Sequence, residues 1–268
     1  MTVQEFSLEF DVIYNSIASN AAQPVNGYEK SVFLTQAQEE LVKNYYNPKG
    51  NKYAEGFEIT EKRRRDFEQL VKNGVSINWL NRRSESFTMF EISPGVAAGQ
   101  LDSRFFAIED DVMFIIAEKA MMASSDPCFN NKTVSVKPVS HNEISMNIDN
   151  PFKRPTDFFW RADRGKITAL FNEGNVVEER RVVELFYGQV GVPREYRYRY
   201  IKYPEPIILE DLTQYGPNVS INGITDAQTS ELSDHMNREI LNRAVELALE
   251  VSGNPRTESK IQLNQRSE

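Results

Sequence analysis

The chain has 268 residues, 40 % apolar and 26 % charged, enough for one large domain or two modest ones with a buried core. Its formal net charge of −8 argues against a dedicated nucleic-acid binder, yet suits nucleic acid passing along an acidic surface without sticking. The single cysteine, Cys128, rules out an internal disulfide and a cysteine-based zinc site, and fits folding in a reducing, intracellular place.

The first residues lack the basic-then-apolar pattern of a signal peptide. No apolar run approaches the ~20 residues of a membrane span, and the longest, Val112–Ala117, suits a buried strand. Residues 3–18 are predicted helical, because Phe6, Phe10, Ile13 and Ile17 share one face. Asn20–Gly27, with Pro24 and Asn26-Gly27, breaks that helix. Tyr28–Leu34 reads as an extended lead-in to a capping box, Thr35-Gln-Ala-Gln38. The helix it opens runs to about Tyr46, with Leu34, Leu41, Val42 and Tyr45 as apolar contacts, and Asn47-Pro48-Lys49-Gly50 ends it. Phe57 and Ile59 lead to Thr60, the cap of a third helix over Glu61–Lys72 that Asn73-Gly74 stops.

The middle of the chain reads as strands. Ser84–Ile92 alternates before Pro94-Gly95, and Phe105–Met122 gives strands around an Asp110-Asp111 turn. Thr133–Lys137 alternates, and Lys166–Phe171 with Val176–Tyr187 forms a hairpin about Asn172–Asn175. In Tyr196–Tyr200 aromatics alternate with arginines, and Ile201–Leu212, with Pro204 and Pro206, suits an edge strand. Val219–Ile221 is a last extended piece.

The best-defined helix comes near the end. Leu232, Met236, Ile240, Ala244, Val245, Leu247, Ala248 and Val251 form its apolar stripe, Ser233 is its N-cap, and Gly253 with Pro255 ends it. Asp234 sits where the helix dipole favours an anion. The tail from Arg256 to Glu268 is polar and lacks a stripe, so it is expected to be extended or loosely ordered. The order helices, strands, helix predicts an α+β fold: a helical bundle with an inserted antiparallel β domain. Its parts are a helical stretch over 1–80, a β-rich insertion over 81–222, a terminal helix over 223–253 that returns to the first helices, and a tail over 254–268.

Chemistry-bearing patterns are sparse. Neither a phosphate-binding glycine loop nor a GxSxG nucleophile turn occurs, and the two histidines, His141 and His235, form no HExxH. Glu109-Asp110-Asp111 reads first as a turn and second as a Mg²⁺ or Ca²⁺ site, the basis of an alternative as a metal-dependent hydrolase. Lys62-Arg63-Arg64-Arg65 interleaves with Glu61, Asp66 and Glu68, which favours a solvated, internally paired helix face over a phosphate contact. Tyr196, Tyr198 and Tyr200 on one side of a strand, with Arg197 and Arg199 on the other, suit a sheet or protein interface, and less well a stacking platform for single-stranded nucleic acid. Asn150-Pro-Phe-Lys-Arg-Pro155 is either a rigid loop with Phe152 tucked beneath it or a docking loop with Phe152 as its anchor. A helix built to dock, on a chain with no evident active site, points to assembly.

Three stretches together resemble a known family. They are Tyr28-Glu-Lys-Ser-Val-Phe-Leu-Thr-Gln-Ala-Gln-Glu-Glu40, the Asn150–Pro155 string with Trp160-Arg161, and Tyr200–Leu209 followed by Glu231-Leu-Ser and Ile240–Ala248. In this order they are similar to motifs of head-to-tail connector ring, or adaptor, proteins of crAss-like tailed phages of gut Bacteroidetes. A cysteine expected near Ser230 in some relatives is absent. The resemblance implies a non-enzymatic virion protein, made in the bacterial host cytoplasm, that forms a closed and commonly twelvefold ring at the head–tail junction. It implies contacts with the portal and other connector or tail rings, a channel that passes double-stranded DNA without specific binding, no cofactor, no metal and no membrane. A tail-side structural protein of the same virion is the nearer alternative. The expected interface residues are Phe152, Lys153, Arg154, Tyr196, Arg197, Tyr198, Arg199, Tyr200, Met236, Ile240, Ala244, Ile261 and Leu263.

Overall fold

The computed structural model describes residues 1–17, 24–46, 61–77, 79–81, 102–147, 150, 152–170, 177–188 and 191–251. The expectations for Ser84–Ile92, Phe57, Ile59, Thr60, the tail, Ile261 and Leu263 lie outside these residues. The chain divides into two compact units, Met1–Leu70 with Tyr203–Glu268, and Val71–Lys202.

Among the described residues the first unit holds four helices: α1 (Val3–Ile17), α2 (Gly27–Tyr46), α3 (Glu61–Phe67) and α5 (Asp234–Val251). In α1 the buried side chains are Phe6, Phe10 and Tyr14, while Ile13 and Ile17 are only half-buried. Lys30 of α2, itself buried, binds Asp11 of α1 at 2.7 Å and so ties the two helices together. α5 packs on α1 and α2 through Met236, Ile240, Ala244, Val245 and Ala248, while Val251 leaves that stripe and is exposed. Arg243 of α5 reaches Glu40 of α2 at 2.9 Å, and Tyr45 donates to Glu239. The Ser233 hydroxyl donates to the buried Asp66 at 3.0 Å, and Asp234 receives the Met1 amine at 3.0 Å.

α2 begins at Gly27, nine residues earlier than a Thr35 cap would place it. The operative box is Asn26-x-x-Glu29: the Glu29 N–H donates to Asn26 Oδ1 (2.8 Å) and the Asn26 N–H to Glu29 Oε2 (3.0 Å). Thr35 lies mid-helix and serves another segment. The stretch 205–209 runs extended along α2, and its backbone bonds to buried side chains one helical turn apart. Leu209 N–H donates to Ser31 Oγ (2.9 Å), and Ile207 N–H donates to Thr35 Oγ1 (3.1 Å). The Thr35 hydroxyl returns a bond to the Ile207 carbonyl (3.3 Å), and Gln38 Nε2 donates to the Glu205 carbonyl (2.8 Å). The spacing fits, because two extended residues and about one helical turn both advance roughly 5–7 Å. On its other side Ile208 exchanges both backbone bonds with Gln228 at 2.9 Å. The expected edge strand over Ile201–Leu212 is therefore corrected: its prolines leave no donor to satisfy at 204 and 206, and α2 side chains replace a partner strand.

The second unit is a mixed sheet. Its strands are β1 (Val71–Ser76), β2 (Trp79–Asn81), β3 (Asp102–Ile108), β4 (Val112–Ala123), β5 (Thr133–Pro138), β6 (Phe159–Leu170), β7 (Val177–Tyr187) and β8 (Val192–Lys202). The order is β1-β8-β4-β5-β6-β7-β3-β2. All neighbours are antiparallel except β5 and β6, which are parallel and joined through a short helix, α4 (His141–Asn147). The fully antiparallel β domain is thus corrected to a mixed one, because α4 carries the chain back before β6 begins. The third helix also ends earlier than expected, at Phe67, and Lys72-Asn73-Gly74 lie inside β1. The sheet curls around one core drawn from β3 to β8, including Phe106, Val134, Val136, Phe159, Val183 and Leu185. Gly74 fits beneath the Tyr198 ring, where an added Cβ would lie 2.3 Å from Cζ.

Candidate interaction surfaces

The expected site residues separate sharply by burial. Tyr196, Tyr198 and Tyr200 point into the core of the curled sheet, with ring centroids 5.1 and 5.4 Å apart. The Tyr196 hydroxyl donates to Glu118 (2.8 Å), Tyr198 accepts the Glu109 N–H (3.2 Å), and Tyr200 donates to Asp111 (3.2 Å). Burial, then the nearby Glu118 carboxylate, pushes the Tyr196 phenol well above its ordinary value. These rings pack the chain's own core, so neither a neighbour nor a nucleobase meets them. Arg197 and Arg199 are exposed on the opposite face, where Arg197 pairs with Glu195 and Arg199 donates to Asn73 Oδ1 (3.0 Å). Met236, Ile240 and Ala244 are likewise buried, on the face of α5 that packs on the helices of their own chain.

The acidic turn does not gather its carboxylates. Asp110 lies 3.6 Å from Lys166, and Asp111 faces the Tyr200 hydroxyl. Among the described residues no group of three or more His, Cys, Asp or Glu converges as a metal site would require. The turn joins β3 and β4, which are not sheet neighbours, so it is not the hairpin turn expected. Arg65 pairs with Glu61 at 2.8 Å within α3, as its spacing suggests.

What remains on the surface is the loop around Phe152. Asn150 shapes it: its side chain accepts the Phe152 N–H (3.0 Å), and its carbonyl accepts the N–H groups of Lys153 and Arg154 (3.2 Å each). Pro155 is buried, and a Cβ at Gly188 would lie 2.5 Å from its carbonyl oxygen, so the loop sits tight against the end of β7. Phe152 is 95 % exposed and Lys153 is exposed, while Arg154 is half-buried. Of the two readings of this loop, the ring lies outside rather than tucked beneath.

Beside the loop, α4 exposes Met146 (74 %). α4 is capped by Ser140, whose N–H and hydroxyl both donate to Glu143 (2.9 Å each) and hold that carboxyl below its ordinary value. Ser140-x-x-Glu143 was the signal that sequence reading passed over. Between α4, β5 and the loop lies a cleft of about 260 Å³, lined by Lys137, Ile144, Asn147, Lys153, Phe158 and Trp160 among others. Lys137 Nζ lies 4.1 Å from the Phe158 ring centroid. Glu143, exposed and held ionised by Ser140, remains a carboxylate beside the two lysines at the cleft.

Two large apolar side chains in water, Phe152 and Met146 beside one cleft, belong to the class of surface that contacts other proteins. The comparisons agree with that class. The family described as phage tail ring protein 3/4 matches residues 1–260. "Ring protein 4/5" of Bacteroides phage crAss001 is 35 % identical over 269 residues, 100 % of each chain. "Ring protein 3" of the same phage is 32 % identical over 252 residues, covering 93 % of this chain and 95 % of its own. The chain therefore belongs to the phage tail ring protein 3/4 family, structural components of crAss-like phage virions. Nothing in these relatives supports the metal-dependent hydrolase. Two of the stretches that carried the resemblance, Tyr28–Glu40 and Tyr200–Leu209, are the two sides of the α2 ladder to residues 205–209.

Proposed function

We propose that this chain forms a closed homo-oligomeric ring, probed first as twelvefold, in the head-to-tail connector between portal and tail. The observation that carries the reading is full-length similarity to ring proteins, at 35 % identity with neither chain left over. A subunit of net charge −8 suits a channel through which DNA slides without being held. The exposed loop at Phe152, Lys153 and Arg154 is the first candidate for contacts between subunits or between rings. In the same reading the helical unit is a bundle and the β unit an insertion between its two sequence segments, with the tail beyond residue 253 reaching the adjacent ring. The family's description as a tail ring favours a position on the tail side of the connector, among other ring proteins, over direct seating on the portal. Cross-linking mass spectrometry on purified virions tests the position. Links from this chain to the portal or to other ring proteins are expected, and links to head-shell proteins alone would overturn the placement. Duplex DNA mixed with assembled rings at physiological salt should migrate unretarded, and salt-sensitive retention would contradict a passive channel.

A further inference from the structure

α1 is apolar on two opposite faces. Phe6, Phe10 and Tyr14 are buried, while Leu8 (66 % exposed) and Val12 (69 % exposed), four residues apart, form a second stripe facing water. A helix apolar on both sides is expected between two partners, and the described residues supply one of them. α1 carries Glu5, Glu9 and Asp11 and no basic residue. Asp11 is paired with Lys30, and Glu5 is engaged with the Thr2 N–H, so Glu9 remains exposed on the flank of the stripe. The surface on offer is apolar with an acidic rim.

The patch around the cleft has the opposite character. Phe152 and Met146 are exposed apolar groups, Lys137 and Lys153 stand exposed with one carboxylate, Glu143, at the cleft, and the cleft gives an aliphatic side chain a place to go. We propose, resting on the ring reading, that the outward stripe of α1 on one copy docks onto the Phe152–Met146 patch of the next copy. Charge favours the pairing: the α1 stripe against itself would set carboxylates together, whereas against the cleft patch it meets two lysines, which outnumber the single cleft carboxylate. Two unlike, complementary patches on each subunit make a head-to-tail contact, the kind that closes into a ring.

The test uses the full-length chain with two surface variants, Val12→Asp and Phe152→Asp, each checked for wild-type circular dichroism, with Val12→Ser and Phe152→Ser as milder replacements should either fail to fold. Sedimentation velocity and negative-stain microscopy read assembly, alone and on isolated portal complexes. Wild type is expected in rings, and each variant alone should associate at least about tenfold more weakly. Mixing the two leaves one intact contact per pair, so a one-to-one dimer that does not close is expected. Rings from either variant as abundant as wild type would overturn the docking while leaving the ring reading intact. Two monomeric variants that give no dimer on mixing would show that the patches do not meet each other. A wild type that forms no ring under any condition would remove the ring reading and this contact together.

Discussion

Thr35 bears the sharpest single prediction. Its hydroxyl both receives the Ile207 N–H (3.1 Å) and donates to the Ile207 carbonyl (3.3 Å), and both residues are buried. Thr35→Val keeps the shape and removes both bonds, stranding a donor and an acceptor away from water. Each stranded buried group costs about 1–3 kcal/mol, so a loss of about 2–4 kcal/mol is expected. Thr35→Ser keeps the hydroxyl and loses one methyl, a change of about 1 kcal/mol. Urea unfolding followed at 222 nm, where the helices dominate, gives the midpoint shift for both variants. Thr35→Val as stable as wild type, or no more damaging than Thr35→Ser, would refute the ladder between α2 and residues 205–209 as a source of stability.

Other outcomes follow from the same geometry. Asn26→Ala should cost about 1 kcal/mol and Asn26→Gly only a few tenths, since glycine leaves the first N–H groups of α2 open to water where alanine does not; equal losses would contradict Asn26 as the N-cap. Gly74→Ala drives a Cβ into the Tyr198 ring and should cost about 1–3 kcal/mol, relieved when Tyr198→Leu is added; a double variant no better than the single would refute the clash. Burial holds the Glu118 carboxyl above its ordinary 4.5, with Arg161 and the Tyr196 hydroxyl only partly offsetting it and Asp163 adding to the rise. A raised folded-state value means that the stabilisation is complete below about pH 4.5 and lost as pH rises through the folded value. The stability advantage of wild type over Glu118→Gln should therefore narrow from pH 4 to pH 7, and a constant or widening gap would contradict the sign. Gly188→Ala should push Pro155 and the Phe152 loop outward, weakening ring assembly with little change in the midpoint of the β unit; unchanged assembly would separate the loop from the interface.

The legible parts of this fold are those with one dominant signal. α1 and α5 have a clear apolar stripe, and β5 and β8 show alternation that matches burial on one face. The errors arise where two signals compete. Thr35-x-x-Gln38 and Asn26-x-x-Glu29 are both plausible caps, and only the position of residues 205–209 decides that Thr35 is needed inside the helix. Asn73-Gly74 looks like a helix stop, but the glycine is there for the Tyr198 ring, which is 124 positions away and invisible locally. The Tyr–Arg alternation of β8 locates a strand without saying which face is inward. The curl of the sheet turns the tyrosines in and leaves the arginines out, so of the residues expected at an interface on this strand Arg197 and Arg199 stay on the surface. Phe152 was legible as unusual because two prolines bracket it, but its exposure depends on the Asn150 turn and the contact at Gly188.

Electron microscopy of the purified chain, alone and mixed with its portal, tests the central claim most directly. Closed rings with an open centre, formed by the free chain or upon addition of the portal, are the predicted images. Single particles of one subunit in both samples, at concentrations well above those in an infected cell, would contradict the account.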